Sequence, residues 1–251
     1  MIPARRSALF TRWFAHVAAG RLRRQFGALR LAGLDEIAAP LARGPVLVVS
    51  NHPAWWDPLL LLEVCVRALG ADAYAMMDAR NLGRLPFFGL VGAFGVDLDD
   101  ARDGARAVRY AARLLDRPGR LVWIFAQGRE RPVTARPLGF RAGSAAVARL
   151  APSAVVVPAA LRYEFGGAPD PTAWVACGRA LARGDAASLA AQEAAVAAEL
   201  DRIEGAVGDG GGAEFATRWQ RRPSGLSALA ERTLAAFTRR RALGPAAPPR
   251  A

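Results

Sequence analysis

The sequence predicts an α/β domain with a central, mostly parallel sheet flanked by helices. The chain has 251 residues, of which 53% are hydrophobic, and this is enough to bury a large core. Apolar, β-branched runs such as VLVVS at 46–50 follow turn signals and are typical of buried strands. Segments with helical spacing alternate with these runs, and that alternation indicates a parallel sheet.

The individual elements follow from periodicity and from Pro and Gly punctuation. After the strand at 46–50, a turn between Pro53 and Pro58 leads into the helix LLLLEVCVRAL. The other predicted elements are a strand at 73–77, a loop or short helix and then a strand within 82–100, a helix at 103–119, a strand at 120–128, a helix, turn and strand over 143–161 with the strand running to 163, a long Ala-rich helix at 186–206, and a helix after 224.

We expect three segments: an amphipathic, membrane-associating helix in 1–30, a domain at 31–240 and a disordered tail at 241–251. One helical stripe in the first segment, which Gly20 is predicted to end, collects its large apolar residues: Leu9, Phe10, Trp13, Phe14 and Val17. Aromatic residues beside arginines are typical of an interfacial helix that binds anionic headgroups. The alternative is an ordinary helix that packs its stripe on the domain.

The formal net charge is +12, and every basic residue is arginine. This charge favours an anionic partner, either a membrane surface or nucleic acid. Cys65 and Cys177 are far apart in apolar surroundings and are expected to be buried free thiols, which permits a reducing cytoplasm. Neither a signal peptide nor a run of about 18 apolar residues is evident. We therefore expect peripheral binding to the cytoplasmic face of a membrane.

Two polar clusters follow predicted strands, SNHPAWWD after 46–50 and AQGRERP after 121–125. Sites in open α/β sheets form at the carboxyl ends of strands, so the two clusters are expected to meet. A single His most often has a structural role, but a second polar cluster beside it favours chemistry. His52 and Asp57 suit a general base and the carboxylate that orients it, provided that the Pro53–Pro58 turn brings them together.

Four blocks of the chain resemble the glycerolipid and lysophospholipid acyltransferase superfamily, in the order found there. NHPAWWD matches the NHx4D block of these PlsC-like proteins, LPFFGLVGAFGVD resembles the second block, WIFAQGRERP resembles the FPEGTR block, and GFRAGSAAVARLAPSAVVVPAAL resembles the stretch that ends in the proline block. Together they span about 33–165. The HxxxxD pattern alone is weak, whereas the ordered set is specific.

The resemblance implies a PlsC-like fold and transfer of an acyl group from acyl-CoA or acyl carrier protein to a lipid hydroxyl. His52 would be the base and Asp57 would orient it, with no cofactor or metal. The residues expected to bind substrate are Asn51, Trp55, Trp56, Gln127, Gly128, Arg129, Arg131 and Arg141. Trp55 and Trp56 have an alternative role as core residues behind the turn.

The chain departs from the family at two positions that bear on the acceptor. The family's Glu-Gly-Thr-Arg is replaced by the run from Gln127 to Glu130, and its phosphate-binding arginine aligns with Leu98. Leucine cannot hold a phosphate as arginine does. We therefore hypothesise a lyso-aminolipid, glycosylated lipid or other amphipathic alcohol as acceptor.

Three alternatives stay open at this point. The first is an ordinary lysophosphatidate acyltransferase, in which Arg129, Arg131 or Arg141 binds the phosphate. The second is a catalytically weak lipid-binding module, which would have no need for the His52–Asp57 pair. The third is a nucleic-acid-binding protein, for which the four blocks would be coincidence, and no nucleic acid is expected as a partner. The oligomeric state is not predicted by the sequence.

Overall fold

The structure, a computed structural model, describes residues 1–166, 168–210 and 212–221. The predicted last helix and the tail at 241–251 lie outside the described residues, as does the predicted domain end at 240. Eight strands form one sheet in the order β4-β3-β5-β2-β6-β7-β1-β8. Their bounds are β1 Ala28–Ala32, β2 Val46–Ser50, β3 Asp72–Asp78, β4 Ala93–Val96, β5 Arg120–Phe125, β6 Val155–Glu164, β7 Thr172–Cys177 and β8 Ala216–Gln220.

The sheet is mostly parallel, as predicted. The pairs β6–β7 and β1–β8 are antiparallel, and the other five pairs are parallel. Helices cover both sides of it, and the predicted fold class is therefore confirmed. The helices are α1 Ala8–Gln25, α2 Asp35–Leu41, α3 Asp57–Leu61 continued by a π-helical segment Leu62–Ala68, α4 Ala79–Arg84, a 3-10 segment Pro86–Val91, α5 Ala101–Leu114, α6 Gly143–Leu150, α7 Arg183–Ala186 and α8 Leu189–Gly208.

Strand β2 shows why both sides of the sheet are apolar. All five of its residues are buried. Val46 and Val48 enter one core with α1, α2 and α3, whereas Leu47 and Val49 enter the other core with α5, α6 and α8. Alternate residues of a strand point to opposite sides, so a strand covered on both sides reads as a continuous apolar run.

Helix α1 continues through Gly20 to Gln25, so the prediction that Gly20 ends it is wrong. Glycine inside a helix costs about 1 kcal/mol relative to alanine. Burial of Ala15, Ala18 and Leu22 against the domain offsets that cost. The helix thus packs on the domain through small residues and Leu22, and two residues of the predicted stripe, Phe10 and Phe14, also contact the core.

The N-terminal segment is also tied to the sheet. Strand β1, which the periodicity did not predict, spans the expected boundary between residues 30 and 31 and pairs with β7 and β8. Ile2 forms an isolated antiparallel bridge with Gly95 of β4. Residues 1–30 are therefore packed as part of the same fold.

Candidate functional site

The turn between β2 and α3 carries the predicted base. Asn51, only 2% exposed, lies at the start of this turn and bonds to β6, the neighbouring strand of the sheet. Its Oδ1 accepts from the Leu161 N–H at 2.8 Å, and its Nδ2 donates to the Leu161 carbonyl at 2.9 Å. The Asn51 amide thus extends the β2–β6 ladder beyond its last backbone pair, Ser50 with Ala159. Both the oxygen and the nitrogen of this amide are therefore hydrogen-bonded within the protein.

His52 and Asp57 are brought together by this turn. Asp57 N–H donates to the Ala54 carbonyl at 3.1 Å, and α3 begins at Asp57 with Pro58 in its first turn. The His52 Nδ1 and Asp57 Oδ2 atoms lie 2.5 Å apart, and the imidazole stacks on Phe125 with ring centroids separated by 4.3 Å. Because Asp57 binds Nδ1, Nε2 is the nitrogen left to accept a proton from a substrate hydroxyl.

Asp57 is fully buried, and three groups donate to its carboxylate. Oδ2 accepts from His52 and from the Ala54 N–H at 3.2 Å, whereas Oδ1 accepts from the Tyr163 hydroxyl at 2.6 Å. Burial raises the pKa of Asp57, and the hydrogen bonds from His52, Tyr163 and Ala54 oppose that rise. Sequence reasoning missed Tyr163, although its place at the end of the predicted strand 154–163, near the expected site, was a usable signal.

Gln127 joins the two loops that follow β2 and β5. Its Oε1 accepts from the His52 N–H at 2.6 Å, and its Nε2 donates to the Leu138 carbonyl at 2.9 Å. Arg131 N–H donates to the His52 carbonyl at 2.9 Å, and the Arg131 guanidinium donates to the Leu138 carbonyl at 2.7 Å. Gln127 is 3% exposed, so its amide holds the main chain of His52 in place from inside the protein.

A cavity of about 480 Å³ opens beside His52. It extends between α3 with its π-helical continuation and strand β3. Its wall is mainly apolar and includes Leu59, Leu62, Val66, Met77, Phe88 and Trp123. The imidazole of His52 is part of this wall, so it borders a mainly apolar cavity.

The polar part of the cavity wall carries mixed charge. Asp78, Arg129 and Glu130 line this part of the wall together with Asn81. Leu98 also lies in the cavity wall. The sequence resemblance places a phosphate-binding arginine at the position of Leu98, whose apolar side chain lines the cavity in this structure.

Gly128 also lines the cavity, and it shapes this region through its backbone. Its φ of +68° strains any L side chain, and a Cβ there would lie 3.0 Å from Arg141 Cδ. The Arg141 guanidinium donates to the Leu98 carbonyl at 3.3 Å. Gly128 thus lets the Arg141 side chain pass close to the loop and reach the chain at Leu98.

The two tryptophans of the turn have different environments. Trp55 is 51% exposed and lines the cavity, whereas Trp56 packs on the core, where it meets the Phe26 ring edge-on at 5.4 Å. The Arg21 guanidinium of α1 lies 5.9 Å from the Trp55 ring and 6.0 Å from the Trp56 ring. Of the two tryptophans in the turn, only Trp55 is therefore placed to contact a molecule in the cavity.

Within the described residues, no cluster of three or more His, Cys, Asp or Glu side chains is arranged to hold a metal ion. The site instead offers one imidazole held by a buried carboxylate, at the carboxyl ends of parallel strands and beside an apolar cavity. Such a pair can take a proton from a hydroxyl group. The site therefore combines the two groups that a histidine base requires with an adjacent, mainly apolar cavity.

The sequence model of the acyltransferase family matches residues 29–162. This is more than half of the chain, so the protein belongs to the acyltransferase family and is an acyltransferase. The match includes both loops that meet at the site. A comparison with curated protein sequences gives no significant match.

Among solved structures, the fold is similar to that of a 1-acyl-sn-glycerophosphate (LPA) acyltransferase, PlsC, from Thermotoga maritima. The TM-score is 0.53, sequence identity is 14%, and the similarity covers 79% of each chain. At this identity the likeness establishes the shared fold, which confirms the predicted PlsC-like architecture. No helix among the described residues is both long and apolar enough to span a bilayer.

Proposed function

We propose that this acyltransferase moves a fatty acyl group from a thioester to the hydroxyl of a lipid-like acceptor. The observation that carries the proposal is the position of His52, which is bound to buried Asp57 through Nδ1 and lies in the wall of the apolar cavity. Nε2 would take the proton of the acceptor hydroxyl as the hydroxyl oxygen attacks the thioester carbonyl. The C–S bond would then break, and the imidazolium would return the proton to the departing thiolate. The acyl chain would occupy the cavity during transfer.

The test is thioester cleavage with long-chain acyl-CoA and acyl carrier protein, with a panel of lipid alcohols as acceptors. His52→Ala should lower kcat/KM by about 10²- to 10⁴-fold, because general-base catalysis contributes that much. His16, the other histidine of the chain, lies on α1 with its ring nitrogen near the Arg12 carbonyl, so His16→Ala is the matched control. Wild-type rates in His52→Ala would overturn the mechanism. Firm lipid binding without transfer would favour the lipid-binding module.

We propose further that the acceptor headgroup is not a phosphate monoester. Two of the three arginines expected to bind a phosphate donate to main-chain carbonyls, Arg131 to Leu138 and Arg141 to Leu98. Arg129 lines the cavity next to Glu130. A phosphate carrying nearly two negative charges would meet that carboxylate, whereas a zwitterionic or polyhydroxyl headgroup fits mixed charge. An ordinary lysophosphatidate acyltransferase is the competing function, and a preference for lysophosphatidate in the panel would establish it.

The thioester donor carries negative charge in either proposed form, acyl-CoA or acyl carrier protein. Helix α5 begins three residues after Leu98 and carries four exposed arginines at helical spacing: Arg102, Arg106, Arg109 and Arg113. Such a row attracts an anionic carrier towards this side of the molecule. Rates with the two donors at equal concentration would decide between them.

We propose that α1 binds the protein peripherally to the cytoplasmic face of an anionic membrane. Leu9, Trp13 and Val17 follow one another at four-residue spacing and are 82%, 57% and 46% exposed. The same helix carries Arg21, whose guanidinium lies over the ring of Trp55 at the cavity. Exposed apolar residues beside arginines suit a lipid surface, and this surface would lie next to the cavity. The buried free cysteines suit a reducing cytoplasm.

Sedimentation with phosphatidylglycerol-containing vesicles tests this membrane contact. Burying one large apolar side chain contributes about 2 kcal/mol, so Trp13→Ala should weaken vesicle binding by at least about tenfold. Phe165 is 71% exposed at the end of β6, and Phe165→Ala serves as the control. Equal loss in both variants would show that α1 is not the membrane contact.

A further inference from the structure

The end of strand β6 places one side chain against the buried carboxylate of the site. The β2–β6 pairing ends at Ser50 with Ala159, and β6 continues to Glu164 paired only with β7. The Asn51 amide holds Leu161 within this extension. Tyr163 follows two residues later, so it projects on the same side of the strand as Leu161. That is the side on which α1 and α3 pack.

Tyr163 is held by its ring as well as by its hydroxyl. The ring stacks on Phe26 with centroids 5.1 Å apart and an interplanar angle of 29°. The hydroxyl donates to Asp57 Oδ1 at 2.6 Å, and among the described residues it is the only donor to that oxygen. The two other donors to the carboxylate, Ala54 and His52, both use Oδ2. Without Tyr163, one oxygen of a fully buried carboxylate would have no hydrogen bond.

We propose that Tyr163 is a positioning residue that keeps Asp57 ionised and correctly oriented towards His52. This inference rests on the proposed function of the His52–Asp57 pair. A carboxylate with one oxygen fixed by a hydroxyl cannot rotate freely, so its other oxygen stays aimed at Nδ1. The hydroxyl also stabilises the negative charge on Asp57, since a hydrogen bond to an ionised group is stronger than one between neutral groups.

The proton of Tyr163 stays in place throughout. Burial and the neighbouring Asp57 both raise the pKa of Tyr163 well above its usual range. The hydroxyl is thus a fixed donor at any physiological pH and does not transfer its proton during turnover. The titratable groups that act on Asp57 are His52 and Tyr163. The other charged side chains facing His52 or its turn are Asp78 on β3, Arg129 and Glu130 after β5, and Arg21 on α1.

The proposal predicts a pH-dependent defect. Removing the hydroxyl takes away a contact that lowers the pKa of Asp57, so that pKa rises further. The active pair needs an ionised Asp57 and a neutral imidazole. A larger fraction of the pair is then protonated at low pH, and the acidic limb of the rate profile moves to higher pH. A purely structural defect would instead lower the rate by a similar factor at every pH.

The experiment compares Tyr163→Phe with the wild type over pH 5–9. We expect kcat/KM to fall by about tenfold near neutral pH and less at alkaline pH, with the acidic limb displaced upward and KM little changed. Phe26→Leu is the control, because it removes the stacking ring without touching the hydroxyl, and it should lower Tm while leaving the limb in place. In an Asp57→Asn background, Tyr163→Phe should have little further effect, because the hydroxyl acts through the carboxylate.

Parallel wild-type and Tyr163→Phe profiles would overturn the proposal. A readout that needs no turnover separates this failure from failure of the proposed function. The chain has two histidines, so NMR signals of His52 can be followed beside those of His16. Protonation of the pair should move to higher pH in Tyr163→Phe even if no acyl transfer is found. An unchanged protonation midpoint of the His52–Asp57 pair in the folded variant would also overturn the proposal.

Discussion

The loops that follow the neighbouring strands β2 and β5 meet at the carboxyl ends of these strands, but their polar side chains make different contacts. In the first loop, Asn51 and Asp57 are buried and fully engaged with the protein. In the second, Arg129 and Glu130 line the cavity, whereas Gln127 and Arg131 bond to main-chain groups of the protein. His52 and Asp57 are thus held by contacts inside the protein, whereas the charged side chains of the second loop that line the cavity lie outside this set of contacts. The departures from the family fall mainly in the second loop.

The largest effect is expected from breaking the first loop at Asp57. Asp57→Asn replaces the carboxylate by an uncharged amide, which cannot stabilise the protonated imidazole, so kcat should fall by about 10²-fold or more. Asp201 is an exposed carboxylate on α8, and Asp201→Asn provides the control. Steady-state kinetics with circular dichroism would separate lost chemistry from lost structure. Near-normal turnover in a folded Asp57→Asn would remove Asp57 from the mechanism.

The next effect concerns Gln127, the residue that joins the two loops. Gln127→Ala removes the buried amide and leaves the N–H of His52 without its acceptor, which should lower the free energy of unfolding by about 1–3 kcal/mol. Gln127→Glu keeps an acceptor there and places a carboxylate near Arg131, so it should lose less than Gln127→Ala. Denaturant unfolding measures both, with the exposed Gln220→Ala as reference. Equal stability of Gln127→Ala and the reference would show that this amide does not hold the loops.

A smaller effect is expected at the acceptor end, where Leu98→Arg introduces the family's cation. The new guanidinium would face the cavity, so kcat/KM for lysophosphatidate should rise by about tenfold. The exposed Leu150→Arg adds the same charge on α6, away from the site, and should leave acceptor preference unchanged. Competition between lysophosphatidate and a lyso-aminolipid measures the preference. A strong lysophosphatidate preference already present in the wild type would contradict the proposal that the acceptor headgroup is not a phosphate monoester.

Parts of the fold were predictable because their signals are local. The strands β2, β3, β5 and β6 are apolar runs bounded by turn residues, and the pairing of His52 with Asp57 follows from a turn between two prolines. Strands β1 and β8 carry no such signal, since they are short, lie near one edge of the sheet and include Arg30 and Arg218. Their strand conformation depends on pairing with distant segments.

The sequence by itself determined the fold class, the family and the contact between His52 and Asp57. Only the tertiary structure decided how the amides and aromatics around them are used. Asn51 and Gln127 were predicted to bind substrate, a role that remains a prediction, and the fold engages both amides with main-chain groups. Tyr163 reaches Asp57 across 106 positions of the chain. An amide or hydroxyl can bond to any partner the fold brings near, so its partner is set by packing and cannot be read from spacing.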